Sequence, residues 1–544
     1  MQDLFIIIAS MAGFVLLESV FPSPFNNIHW GFFGIACWSL YCLIQRQYNI
    51  HSLKGDKNRK IGPNDIVLRM AGMEWTLEDF VRGWLITGKT GSGKTAAAIC
   101  NIMKQLFENV PNWGGLCVDQ KGLFYKILQK AAKSFGMEDR IILLKVKSIW
   151  DLPGYKSPHT VNLIGDLEIE SEVYATGIMD NAESLGMVGS GGSSDHFKSQ
   201  ARIHIEAGIN LKRIKGDVAT LTNVYDLLTS DSQLKEELQE LRGLGESIKD
   251  SDYENALKIS NIYNHFSEKF LGLGPDELSG VRSTILNSLH PFTHPEIAKV
   301  YCAEEPTANF KMMDGAKIIC PVIPQQFPST RTFINALCKL NFFSHGLRRA
   351  DEPEEAIDNR NLLVIFNDEA QRTVVKNEQG MADHSCLDQT REFWVTGVYA
   401  TQGESSFLPK LGKDITTTLI LNLSNEIILT AANQWGAEQA SKRIGERMRK
   451  RETKNFNGAV ISHSYTQEVQ PLIYPYELRA LKKFEAVVCH CESGHRRVKL
   501  QPTSFTARSH GLDTASDSKE AILPEPTPEE LTSTQFNHEP ELSA

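Results

Sequence analysis

The sequence lacks an excess of positive charge. Its 544 residues carry 57 Lys and Arg against 66 Asp and Glu, a formal net charge of −9. This balance excludes a uniformly basic surface built to coat nucleic acid. Six of the nine excess negative charges follow Ser504, so the rest of the chain is close to neutral. We also find no internal repeat.

The ten cysteines form no secreted disulfide framework. Most stand singly in apolar contexts, as Cys117 and Cys320 do, which indicates a reducing compartment and thiols buried as small hydrophobic groups. The exception is a cluster of four residues, Cys489, His490, Cys491 and His495. Alternating residues of a strand face opposite ways, so these side chains cannot all converge on one ion without a bend. The pattern favours a plain edge strand and leaves metal binding open.

Long apolar runs are scarce, and both lie near the N-terminus. Residues 4–21 and 30–44, joined by a proline-containing connection, predict a transmembrane hairpin. Lys and Arg follow the second run and are missing from the connection, so the positive-inside rule places the N-terminus and the bulk of the chain in the cytoplasm. A cleaved signal peptide is the alternative for the first run, but the basic start and the A-x-A site are missing.

Residues 88–95 read GKTGSGKT and fit the P-loop pattern GxxxxGK[ST] at every required position. A short apolar strand precedes them, and apolar residues at helical spacing follow. Glycines allow the backbone N–H groups to curl around phosphate oxygens, and the following helix points its positive end at them. The pattern predicts a nucleoside triphosphate site formed by Gly88, Lys89, Thr90, Gly91, Ser92, Gly93, Lys94 and Thr95. Lys94 is expected to reach the β- and γ-phosphates and Thr95 to hold Mg²⁺.

A second apolar strand, residues 362–366, is followed by Asn367, Asp368 and Glu369. Sites in parallel sheets lie at the carboxyl ends of strands, so this resembles a Walker B strand. We expect Asp368 to support the Mg²⁺ shell and Glu369 to polarise the attacking water; a capping pair for the next helix is the alternative. Gln402 ends a further strand and is expected to sense the γ-phosphate or orient water.

The chain divides by pattern into five parts. Residues 1–50 are the hairpin, and 51–192 begin an α/β domain. Residues 193–305 are an all-α insertion after a glycine-rich joint, and 306–504 resume the α/β pattern with strands predicted at 362–366, 394–400 and 419–423. Residues 505–544 are rich in Pro, Ser, Thr and Glu and predict a disordered acidic tail.

These motifs together resemble those of the type IV secretion coupling proteins, the TraG/TraD group of conjugative DNA-transfer ATPases. The resemblance covers roughly residues 1–505. It is carried by GKTGSGKT at 88–95, VDQKG at 118–122, IFNDEA at 365–370, ATQ at 400–402 and the insertion that opens with DHFKSQAR. Two departures stand out: Gln120 replaces a proline usual in the family, and Asn367 is less apolar than the usual residue before the Asp-Glu pair.

The resemblance implies a RecA-like motor that uses ATP and Mg²⁺ and assembles as a homo-hexamer with each ATP at a subunit interface. It also implies a bacterial inner-membrane anchor, a secretion channel as partner, and DNA with relaxosome or effector proteins as substrates. Arg391 is placed as the arginine acting across the interface, with Arg331, Arg372 and Arg443 as competitors.

Basic residues suited to DNA lie at 442–454 and 496–499, although a solvated face explains such runs equally well. The most consistent interpretation is a membrane-anchored ATPase that drives DNA or protein into a type IV secretion channel. One alternative is a duplex-DNA pump of the FtsK/HerA type, for which no C-terminal winged-helix module is evident. The other is a membrane scaffold that binds ATP without hydrolysing it and recruits substrates.

Overall fold

The computed structural model describes residues 61–189, 191–357, 359–374, 376, 381–457, 460–505 and 521–522. The predicted hairpin at 1–50 and most of the predicted acidic tail lie outside these residues. Among the residues described, we find no helix with both the length and the apolar character that crossing a membrane requires.

The strands are, in chain order, β1 Ile66–Met70, β2 Met73–Thr76, β3 Trp84–Thr87, β4 Gly114–Asp119, β5 Ile141–Lys145, β6 Ile318–Val322, β7 Leu363–Asp368, β8 Val395–Thr401, β9 Asn425–Ile428, β10 Glu446–Asn457, β11 Val460–Pro471, β12 Glu485–His490, β13 Gly494–Lys499 and β14 Ala521–Ile522. The α-helices are α1 Leu77–Phe80, α2 Cys100–Asn109, α3 Phe124–Ser134, α4 Ser171–Ser184, α5 Ser193–Ile214, α6 Leu221–Thr229, α7 Asp231–Ile248, α8 Tyr253–Asn264, α9 Pro275–Leu289, α10 Pro295–Tyr301, α11 Pro328–Arg348, α12 Glu354–Ile357, α13 Ala370–Thr373, α14 Asp383–Gln389, α15 Leu408–Leu421, α16 Gln434–Ile444 and α17 Pro475–Ala480.

One large sheet organises the chain, in the strand order β14-β13-β12-β9-β3-β8-β7-β4-β6-β5. The seven strands from β9 to β5 pair in parallel, and β12, β13 and β14 extend one edge in antiparallel fashion. The predicted α/β class is confirmed. Ala521 and Ile522, which fall within the predicted tail, pair with β13 at the edge of the sheet; the extent of the tail stays a prediction.

The central strands are buried on both faces, as strands covered by helices on either side must be. All six residues of β7 are buried. Leu363 and Ile365 pack into the core on one face of the sheet, and Val364 and Phe366 pack into the core on the other. The apolar run that predicted this strand therefore continues through both cores, and it leaves the strand's carboxyl end free to carry polar groups.

One predicted strand is wrong. Residues 419–423 were expected to be extended, but α15 runs through Leu421 and the strand begins only at Asn425. After a break at Gly412, the buried positions Thr416, Leu419 and Ile420 follow helical spacing, while Leu421 is 69% exposed. A short apolar run cannot distinguish helix from strand without this longer context.

Between β5 and β6 the described chain contains helices α4 to α10 and no strand. The helices share a continuous core with one face of the sheet, since Ile205 and Phe266 belong to the same apolar cluster as Ile365. Polar contacts join them as well, because Tyr174 of α4 donates to Asn341 of α11 at 3.1 Å. The helical segment begins earlier than the predicted limit of residue 193; the division into domains stays a prediction.

A histidine pair in this helical segment, of which His204 is buried, predicts acid sensitivity. His204 is 1% exposed and its Nδ1 lies 2.9 Å from Nε2 of His265. Burial lowers the pKa of His204 to about 3, and burial followed by the charge of Lys269 lowers that of His265. Because the unfolded chain takes up protons near pH 6.5 and the folded chain does not, stability is full above that pH and falls as the pH drops.

We expect His204 alone to cost about 2 kcal/mol of unfolding free energy between pH 7 and pH 5. Urea unfolding across this range should therefore show a shallower pH dependence in His204→Phe than in wild type, whatever the absolute stability of the variant. Identical pH slopes for the two proteins would contradict the prediction.

Candidate nucleotide site

The predicted P-loop lies between β3 and a π-helical turn, Lys94–Ile99, that leads into α2. Gly93 needs to be a glycine for two reasons. Its φ of 113° lies in the left-handed region, and a Cβ there would come within 2.5 Å of the Phe484 ring. The loop is thus packed against residues that follow much later in the chain, and the amide of Phe484 also donates to the Ser92 carbonyl at 3.0 Å.

Lys94 points back onto this loop. Its Nζ donates to the carbonyl of Gly88 at 2.5 Å and to that of Lys89 at 3.3 Å. Burial lowers the pKa of Lys94, and the nearby carboxylate of Asp368 opposes that effect. A cation held against the loop at this depth is placed to meet the charge of a bound phosphate.

Thr95 and Asp368 meet at the carboxyl edge of the sheet. The hydroxyl of Thr95 donates to Asp368 Oδ2 at 2.9 Å, across 273 residues of sequence. Burial raises the pKa of Asp368, and the bond from Thr95 acts in the opposite direction. A hydroxyl and a carboxylate are hard oxygen ligands of the kind Mg²⁺ prefers beside a nucleotide, so this pair fits the predicted metal role.

Glu369 sits beside this pair in a backbone conformation that is uncommon for a residue other than glycine. Its φ of 60° and ψ of 46° are left-handed, and its amide donates to Asp368 Oδ1 at 3.1 Å. Its carboxylate forms a salt bridge of 2.6 Å with Lys121 and lies 3.7 Å from Arg372. The hydrogen bond to Glu369 is the main reason why the pKa of Lys121 is raised.

Lys121 is a site residue that sequence reasoning missed. It lies in the VDQKG motif, whose only sequence-based significance is the family resemblance. Asp119 fixes the loop that carries it, since its carboxylate accepts from the amides of Lys121 at 2.8 Å, Leu123 at 2.6 Å and Phe124 at 2.8 Å. Asp119 therefore fixes the loop before α3 in a conformation that presents Lys121 to Glu369.

Gln402 completes the arrangement because β8 lies between β3 and β7. Its exposed side chain follows the last residue of that strand, between the P-loop and the Asp368–Glu369 pair. These residues line one cavity of about 300 Å³. The lining residues are Thr90, Gly91, Gly93, Lys94, Thr95, Ala96, Lys121, Asp368, Glu369, Gln371, Thr401, Gln402, Lys483 and Phe484.

The four candidate arginines lie in different environments. Arg372 is exposed and lies 3.7 Å from the Glu369 carboxylate. Arg391 is exposed, just before the amino end of the seven-residue β8, and the rise of a strand therefore places it about 20 Å from Gln402. Arg331 is buried and donates to the carbonyls of Gln120 and Pro324. Arg443 bonds Glu426 and Glu404 at 2.7 and 2.5 Å. These contacts make Arg331 and Arg443 structural groups within the subunit.

The predicted edge strand carrying Cys489 and His490 is wrong in position, since β12 lies between β9 and β13. Cys489 pairs in register with His495. His490 pairs with Gly494, so it faces the opposite side of the strand from Cys489. Asp79, His490 and Cys491 bring potential ligand atoms within 4.8 Å of one another.

Hydrogen bonds within the protein occupy both ring nitrogens of His490. Its Nδ1 accepts from the amides of Glu492 at 3.0 Å and Ser493 at 3.1 Å, and its Nε2 donates to the Glu74 carbonyl at 3.0 Å. The ring also stacks on Trp75, with centroids 4.8 Å apart. This bonding favours a structural role, in which His490 ties the turn after β12 to β2.

Strands β10 and β11 form a separate two-stranded antiparallel ribbon. Directly paired residues share a face, and faces alternate along each strand. Arg447, Arg449 and Arg451 therefore share one face with their partners Gln470, Glu468 and Thr466. The opposite face carries Met448 and Val469, which are 66% and 56% exposed. The three arginines of the basic run thus share one face of the ribbon, whereas Lys450 lies on the other face with Met448.

A family model described as the type IV secretion-system coupling protein DNA-binding domain matches residues 382–501, which include β8, β9 and the ribbon. This match confirms the resemblance to type IV coupling proteins that the motifs indicate. The sequence has no significant match among curated proteins.

Solved structures share the fold. The bacterial conjugative coupling protein TrwBdeltaN70, in its unbound monoclinic form, has a TM-score of 0.58 and 13% identity over 85% of this chain and 93% of that chain. Plasmid coupling protein TrwB in complex with the non-hydrolysable ATP analogue ADPNP has a TM-score of 0.56 and 13% identity, covering 84% and 94%. TrwB in complex with ADP and Mg²⁺ has a TM-score of 0.54 and 14% identity, covering 84% and 93%. At these identities the likeness establishes the fold alone.

Proposed function

We propose that this chain is an ATPase of the type IV coupling class, which couples hydrolysis of ATP to the movement of DNA, or of protein, into a secretion channel. One observation carries the proposal: Lys94, Thr95, Asp368 and Glu369 converge on one cavity at the carboxyl edge of a parallel sheet. The match of residues 382–501 to a coupling-protein DNA-binding domain supports DNA as the substrate.

In this proposal, different residues of the cavity bind the phosphates, hold the metal and act on the attacking water. ATP bound with Mg²⁺ supplies the γ-phosphate that is transferred to water. The P-loop amides and Lys94 bind the phosphates, while Thr95 and Asp368 hold the metal. Glu369 takes a proton from the attacking water, and Gln402 orients that water. TrwB, which shares the fold, has been solved in complex with ADP and Mg²⁺, and this supports the choice of nucleotide and metal.

We further propose a ring of six subunits with a nucleotide site at each interface. Arg391 is too far from its own subunit's site to act there, and it is exposed for contact with a neighbouring subunit. The proposal includes anchoring by residues 1–50 in a bacterial inner membrane, an inserted helical domain at 193–305, and recruitment of relaxosome or effector proteins through the tail. The FtsK/HerA-type pump and the ATP-binding scaffold remain the alternatives.

The test is ATP hydrolysis by the full chain in lipid nanodiscs, with and without duplex or single-stranded DNA. Lys94→Ala is expected to abolish turnover and to weaken ATP binding, because it removes the cation from the phosphates. Lys104→Ala, which changes an exposed lysine of α2, serves as the matched control and should hydrolyse like wild type. ATP binding without turnover by the wild-type chain would favour the scaffold instead.

A further inference from the structure

Asn367, which is less apolar than the residue usual at this position in the family, has a hydrogen-bond partner in the structure. Asn367 is fully buried in the middle of the sheet, next to Asp368 in sequence. Alternation along β7 directs it to the opposite side of the sheet from Asp368. There its Oδ1 accepts a hydrogen bond of 2.6 Å from the hydroxyl of Thr373, which is also buried. The polar residue in this apolar strand therefore binds the segment that carries Glu369.

That segment is α13, a helix of four residues that begins directly after Glu369. So short a helix has almost no stability of its own. Besides the hydroxyl bond, the Thr373 carbonyl accepts from Lys339 Nζ at 3.0 Å, and the Arg372 carbonyl accepts from Lys410 Nζ at 2.6 Å. Bonds from β7, α11 and α15 thus hold the far end of the turn, while Glu369 occupies a left-handed conformation at its near end.

The hydrogen bonds that hold α13 connect further to β8, the strand that ends directly before Gln402. Lys339 pairs with Asp383 at 2.5 Å, and both side chains are at most 3% exposed. The other oxygen of Asp383 accepts from the Tyr399 hydroxyl at 2.5 Å, and Tyr399 lies in β8, three residues before Gln402. Burying a charged pair costs free energy, and proteins usually keep such costly arrangements at functional sites.

We propose that Asn367 and Thr373 are positioning residues, which fix the α13 turn so that Glu369 is directed at the attacking water. The inference rests on the proposed function, because it assigns Glu369 the role of polarising that water. Neither residue lines the nucleotide cavity, so their effect passes through the backbone of the turn.

The kinetic test compares Thr373→Val, which removes the hydroxyl but keeps the shape, with Thr373→Ser, which keeps the hydroxyl. In the full chain, Thr373→Val should lower kcat for ATP by about 10- to 100-fold, while KM stays within about twofold, as expected when a supporting contact of a site is lost. Thr373→Ser should stay near wild type. An unchanged kcat in Thr373→Val would overturn the proposal.

A double variant guards against simple misfolding. Asn367→Leu with Thr373→Val removes both polar partners, so no buried group is left unpaired and folding should be retained. We expect its melting temperature to approach that of wild type while kcat stays low. Recovery of kcat together with stability would show that the network is only structural and would overturn the proposal.

Hydrogen exchange in the nucleotide-free chain separates this inference from the proposed function. The amides of Arg372 and Val374 bond to the carbonyls of Glu369 and Ala370, both at 2.9 Å. They should exchange at least about tenfold faster in Thr373→Val than in wild type or Thr373→Ser. If these amides exchange slowly in wild type and faster in Thr373→Val, but the wild-type chain does not hydrolyse ATP, the proposed function fails while the positioning of the turn by Thr373 stands. If exchange is unchanged in Thr373→Val, the positioning role is wrong whatever the activity.

Discussion

A Glu369→Gln variant of the full chain is expected to bind ATP normally and to hydrolyse it about 100- to 10,000-fold more slowly than wild type, the usual range for loss of a general base. In the proposed mechanism the Glu369 carboxylate accepts a proton from the attacking water beside Asp368. Glutamine keeps the size of the side chain but loses its basicity. Thr95 and Asp368 are untouched, so the variant should retain ATP, with Mg²⁺, in an unhydrolysed form.

The measurement is single-turnover hydrolysis together with filter retention of radiolabelled ATP. Glu296→Gln, which alters a carboxylate of α10 in the helical segment, is the matched control. Lys121→Gln gives a second comparison, because it removes the 2.6 Å salt bridge and leaves the Glu369 carboxylate in place. Turnover at the wild-type rate in Glu369→Gln would show that another group takes the proton.

The motifs could be located from the sequence because each is a local pattern with a fixed physical purpose; the roles of their residues stay predictions. The P-loop needs its glycines, and a Walker B strand needs apolar residues that end in carboxylates. The sequence alone therefore predicted that Thr95 and Asp368 would serve one metal, and the structure brings them to 2.9 Å. Strand ends in a parallel sheet converge whatever the loop lengths between them.

The parts that could not be predicted depend on contacts between distant residues. The sequence did not explain the polar residue Asn367, because its partner Thr373 belongs to a turn that Lys339 and Lys410 hold in position. Lys121 was missed for the same reason, since no local pattern shows that its loop faces Glu369. Similarly, no local pattern shows that Arg443 forms salt bridges with Glu404 and Glu426.

The ribbon carries the prediction with the largest expected effect on DNA. Replacing Arg447, Arg449 and Arg451 with glutamine should weaken DNA binding by the full chain and reduce the slope of log affinity against log salt by about 2.7 for duplex DNA. The three guanidinium groups share one face of an exposed two-stranded ribbon, a shape that the major groove accepts. Each phosphate contact that is lost no longer releases its counterion, which accounts for the change in slope.

The control must remove the same charge elsewhere, because any loss of three cations lowers the attraction of the whole protein for a polyanion. Lys104, Lys258 and Lys299 are exposed lysines on α2, α8 and α10. Their triple replacement by glutamine should leave the salt slope near wild type, since diffuse charge steers association without forming contacts. If the ribbon variant behaved like this control while Arg496→Gln with Lys499→Gln lost DNA binding, the DNA contacts would lie on β13 and not on the ribbon.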